Sequence, residues 1–121
     1  MATLTAKLTL TSANATTDAL SVIVEKNLTT ANPTTNVSRV SVATTGQFNI
    51  LTTAGNTGIT YVYLKNIDTT NIIIIKDDAG NTFLDLGPEE WAFIPVKGAK
   101  GLEATANASA CVLEYGYWTK G

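Results

Sequence analysis

The sequence predicts an all-β protein, a sandwich or barrel of about ten short strands. Three observations lead there. Apolar residues alternate with polar ones at period two through nearly every segment. The stretches between segments are turn chemistry, "TAGNTG", "NIDTTN", "DDAGN", "LGPEE" and "KGAKG". No segment carries a convincing helical period, since the best candidate, "SANATTDALSV", is weighed down by β-branched Thr and Val. The length of 121 residues suits one domain, residues 1–121, and no linker or low-complexity tail interrupts it.

The segments follow in order. In "TLTAKLTL", Leu4, Ala6, Leu8 and Leu10 share one face, with Thr3, Thr5, Lys7 and Thr9 on the other. "ALSVIVEKNL" repeats the pattern, with Leu20, Val22 and Val24 together. A polar loop, "TTANPTTN", comes next; its Pro33 pushes the preceding residue out of the α region. Strands are then expected at Val37–Ala43, Gln47–Thr52, Ile59–Asn66, Asn71–Asp77, Thr82–Leu86, Glu90–Val96, Leu102–Ala106 and Ala110–Trp118. Strands at this spacing in an all-β chain form sandwiches or barrels.

Composition excludes several function classes. Hydrophobic residues make up 45% of the chain and charged residues only 15%, so the surface is a Thr- and Asn-rich skin with few charges. Eight basic residues are spread thinly and the net charge is −2, which offers no footprint for nucleic acid and none for an anionic membrane. No apolar stretch approaches the ~20 residues of a membrane span. The start, "MATLTAKLTLT", reads as a strand and not as a signal peptide. The one cysteine, Cys111, sits in an apolar segment and reads as a small buried hydrophobe; with no histidine in the chain, no Cys-His or Ser-His pair can form.

The carboxylates read as turns. Asp77 and Asp78 are adjacent and Gly80 comes too early for a calcium loop, so "DDAGN" is a hairpin turn. Glu89 and Glu90 follow Pro88 in a turn and are poorly placed to share a substrate. No cofactor, metal or catalytic activity is expected.

Two apolar features remain. Ile72, Ile73, Ile74 and Ile75 do not alternate, so this strand is apolar on both faces. The core can take one set, Ile73 with Ile75 or Ile72 with Ile74; the other needs cover, most simply a second subunit. The aromatics also pair by face: Tyr61 with Tyr63, Trp91 with Phe93, and Tyr115 with Tyr117, opposite Trp118. The expected subunit interface is Ile72, Ile74, Tyr61 and Tyr63. The expected core anchors are Trp91, Phe93 and Leu113. Aromatics exposed on one sheet would instead offer a platform for sugar rings.

The second half of the chain, from "YVYLKNID" through "DDAGNTFLDLGPEEWAFIPV" to "CVLEYGYW", resembles jelly-roll domains of small tailed-bacteriophage virion proteins. The resemblance implies a jelly-roll-like β-sandwich of about eight to ten short antiparallel strands. It also implies a structural virion role without catalytic residues, foremost as a capsid decoration (cement) protein on the outer capsid. A tail, baseplate or fibre subunit is the alternative within that class, and a carbohydrate-binding module the alternative outside it. The partners so implied are other copies of the chain, as a trimer, and the major capsid protein or another virion protein. Assembly would take place in the host cytoplasm.

Overall fold

The structure, a computed structural model, describes residues 1–31, 36–53 and 58–121. The centre of the expected loop around Pro33 and most of "TAGNTG" lie outside the described residues. All ten expected strands form: β1 (Ala2–Ser12), β2 (Leu20–Thr30), β3 (Ser38–Val42), β4 (Phe48–Leu51), β5 (Ile59–Asn66), β6 (Ile73–Lys76), β7 (Thr82–Leu86), β8 (Trp91–Lys97), β9 (Leu102–Ala106) and β10 (Cys111–Thr119). One 3₁₀ turn, Gly98–Lys100, is the only helical piece among the described residues.

The chain divides into two compact units. Residues 1–32, with Gly121, form the first. In it β1 and β2 pair antiparallel in unbroken register from Ala2↔Thr30 to Ser12↔Leu20. Period two then sets Leu4, Leu8 and Leu10 opposite Leu28, Val24 and Val22 on one face. Thr5 meets Asn27 and Lys7 meets Glu25 on the other, and the Thr5 hydroxyl donates to Asn27 Oδ1 at 2.9 Å.

Residues 33–120 form the second unit, which is the sandwich. Its two sheets run β3-β10-β5-β8 and β4-β9-β6-β7. The pairings are nested: β3 with β10, β4 with β9, β5 with β8 and β6 with β7, all antiparallel. The eight strands thus behave as one long hairpin rolled up, its turns closed by β5–β10 and β6–β9 pairing. That wrap is a jelly roll.

The core lies between the sheets. Val42, Val62, Leu64, Cys111 and Leu113 point inward from one, and Ile50, Ile73, Ile75, Leu86, Leu102 and Ala104 from the other. The isoleucine run resolves by phase: Ile73 and Ile75 are buried, while Ile72 and Ile74 stay partly exposed. Leu113 is a core anchor as expected. Trp91 and Phe93 are not. Trp91 is 55% exposed, and the inward residues of β8 are Ala92, Ile94 and Val96. "WAFIPV" is apolar on both faces, so its pattern does not set the phase. The set that packs inward is the smaller one, and the bulky set turns outward.

The turns hold themselves. Asp77 accepts from Asn81 N (2.8 Å) and Asn81 Nδ2 (3.1 Å), with Gly80 at φ 85°. Those bonds keep the Asp77 carboxyl below its ordinary value. In "LGPEE", Glu90 N–H closes on Gly87 O (3.1 Å) with Glu89 at φ 62°, a type II turn. The Glu90 carboxylate accepts from Gly87 N–H, and a Cβ at position 87 would collide with it.

A buried asparagine ties the sandwich together at one end. Asn66, fully buried at the end of β5, donates from Nδ2 to the carbonyls of Asn71 (2.8 Å), Leu86 (3.0 Å) and Gly87 (3.0 Å). Its Oδ1 accepts from Asp68 N (2.9 Å), and Asp68 in turn accepts from the backbone of Asn71 and Thr70.

At the other end of β5, Thr60 is buried and its hydroxyl has no partner among the described residues. Thr60→Val keeps the shape and removes an unsatisfied polar group. It is expected to stabilise the protein by about 1 kcal/mol, read as a higher midpoint in urea at unchanged slope.

Candidate binding face

Register builds an aromatic surface on the outer face of sheet β3-β10-β5-β8. One cross-strand row reads Arg39, Glu114, Lys65, Trp91. The next reads Gly116, Tyr63, Phe93, and the one beyond it Trp118, Tyr61, Pro95. Three strands far apart in sequence therefore bring Trp91, Phe93, Tyr61, Tyr63 and Trp118 onto one face. Tyr115 and Tyr117 turn inward against the core, where Tyr115 meets Phe48 edge to face at 5.5 Å.

Packing among these residues is close. Tyr61 and Phe93 stack with centroids 6.2 Å apart and planes 19° apart. Flanked by Trp118 and Pro95, Tyr61 is only 8% exposed. Gly116 lets the Trp118 indole lie close over β10, since a Cβ there would meet it at 3.1 Å. Trp91, on the edge strand, is the ring left most open.

A polar network crosses the same face. Tyr63 O–H donates to Glu114 Oε2 at 2.7 Å, and Arg39 Nε donates to Glu114 Oε1 at 3.2 Å. The Tyr63 bond, then Arg39, holds the Glu114 carboxyl below its ordinary 4.5. Burial first, and the Glu114 bond second, push the Tyr63 phenol from 10.0 up to about 12. Tyr63 thus keeps its proton more tightly when folded, a contribution present below pH 10 and lost as pH rises through about 12. Glu114, Asp68 and Asp77 contribute the other way: present above their ordinary 4.5, 3.8 and 3.8, lost as pH falls below those values. Spectrophotometric titration should show a phenolate appearing late, at about 12. That step should be missing in Tyr63→Phe and move to lower pH in Glu114→Gln.

The expected interface residues separate. Tyr61 and Tyr63 lie on this face. Ile74 lies on the outer face of the other sheet, between Thr105 on β9 and Asp85 on β7. There it lines a shallow groove of about 570 Å³ with Thr44, Gly46, Gln47 and Lys76. Ile72, just before β6, exchanges hydrogen bonds with Asn107. Cys111 is buried, which raises its thiol, and lies against Ser109 O at 3.3 Å.

The Tyr63–Glu114–Arg39 network and the Asn66 hub were not foreseen. Their partners are up to 75 residues apart. The available signal was Glu114 in the otherwise uncharged strand "CVLEYGYW", but only register names its partners.

Comparison with known proteins returned no match, whether with family models, curated proteins or solved structures.

Proposed function

We propose that this protein is a structural virion component of the capsid-decoration type, docking on a major capsid protein or another virion protein through the aromatic outer face. The observation that carries the proposal is Trp91, 55% exposed at the edge of a face that also holds Phe93, Tyr63, Trp118 and Arg39. Trp, Tyr and Arg are the residues that dominate binding energy at protein interfaces. Trp91 is contiguous with the other rings of this face, and a contiguous exposed apolar patch is the mark of an interaction site. The jelly-roll wrap and the resemblance of the second half to phage virion proteins support the virion setting; the fold by itself implies no function.

The test is mass spectrometry and immunogold labelling of purified particles of the phage that encodes the chain. The chain should be present, with label on the head. Label confined to the tail would move the proposal to a tail, baseplate or fibre subunit, and absence from particles would defeat it. Trp91→Ala should fold normally yet lose incorporation.

One observation favours a second reading, a carbohydrate-binding module. Trp91 and Phe93 are alternate residues of an edge strand, roughly 6.8 Å apart along one face, with Tyr63 beside them. Saturable retention on an immobilised glycan, lost in Trp91→Ala, would establish it.

A further inference from the structure

We propose that the two outer faces of the sandwich are the complementary halves of one heterologous interface: the aromatic face of one copy docks on the groove face of a second copy of this chain. The inference rests on reading the aromatic face as a protein-docking surface, and not on where in a virion the protein sits.

Charge is the first argument. The aromatic face carries Arg39, Lys65 and Lys97 against the single anion Glu114. The opposite outer face carries Asp85 and Glu103 against the single cation Lys76. The sandwich is thus polarised, positive on one outer face and negative on the other. A two-fold dimer through the aromatic face would bring its three cations towards their own copies. A head-to-tail contact sets them against Asp85 and Glu103 instead.

Shape is the second. Trp91 projects from an edge strand on one face. The other face has a groove with Ile74 at its apolar floor, walled by Thr44, Gly46 and Gln47. Phe83, 50% exposed on β7, adds apolar surface beside it. The half-exposed residues on the two faces are of the kind that cover one another.

Area is the third. The groove sheet sets the limit: its four strands, ~4.8 Å apart and only 4 or 5 residues long, present roughly 300 Å². A single contact would bury about 600 Å² in all, below the ~1,000 Å² of a stable specific interface and in the range of weak, transient ones. Such a contact is reversible alone. In a head-to-tail pair one copy keeps its aromatic face free for the virion partner proposed above, and the other keeps its groove free.

Sedimentation analysis tests this with two single variants, Trp91→Glu on the aromatic face and Ile74→Lys in the groove. Phe83→Lys stands in if circular dichroism shows Ile74→Lys unfolded. The wild type should self-associate with rising concentration. Each variant should stay folded and associate at least about tenfold more weakly. An equimolar mixture of the two should recover a dimer and nothing larger, because one intact aromatic face then meets one intact groove. The proposal is overturned by a wild type that remains monomeric at its highest attainable concentration, by single variants that associate as the wild type does, or by a mixture that stays monomeric. None of these results would alter whether the chain is found in particles, so the proposed function stands or falls separately.

Discussion

Replacing Ile73 and Ile75 together by lysine should abolish folding, whereas Ile72→Lys with Ile74→Lys should leave a folded protein. Ile73 and Ile75 are both 0% exposed in the centre of the core, contacting residues of the facing sheet. Each lysine would lose the packing of a buried isoleucine, worth about 2–5 kcal/mol on truncation alone. It would also place an unpaired ammonium in an apolar interior at a further cost of several kcal/mol. The sum exceeds the ~5–15 kcal/mol that stabilises a typical domain. Ile72 and Ile74 keep partial access to water, so a lysine there can extend its charge to solvent. Far-UV circular dichroism and urea titration separate the outcomes. A cooperative transition in the Ile73/Ile75 pair would show the inward phase to be misassigned.

Asn66→Ala should cost about 3–5 kcal/mol, far more than an ordinary asparagine truncation. The side chain serves three carbonyls and one backbone N–H in a site with no access to water. Removing it leaves these groups buried and unsatisfied, which costs their full desolvation. Asn66→Asp is the sharper variant. Its second carboxylate oxygen would face the carbonyls of Asn71, Leu86 and Gly87, all acceptors. The carboxyl is neutral only at low pH, so this variant should lose stability as pH rises, in contrast to the wild type. Chemical denaturation of the wild type, Asn66→Ala and Asn66→Asp at two pH values measures both effects. An Asn66→Ala cost under about 1 kcal/mol would mean that water can reach the hub and satisfy it.

Local chemistry determined the strands themselves. Alternation in "TLTAKLTL", Gly80 in its turn, Pro88 before a positive-φ residue and the unbroken isoleucine run are properties of a few adjacent residues, and each maps onto the same element in the fold. The buried anchor Leu113 was equally legible. What tertiary structure alone decided was phase and partnership. A strand apolar on both faces, such as "WAFIPV", can bury either set. The nested wrap settled that β8 buries Ala92, Ile94 and Val96 and turns Trp91 and Phe93 to the outer face. The same wrap carried Tyr63, Glu114 and Arg39 from three strands into one hydrogen-bonded group, and placed Tyr63 and Ile74 on opposite outer faces. Cross-strand register is a long-range quantity, set when eight strands share one core. No window of adjacent residues contains it.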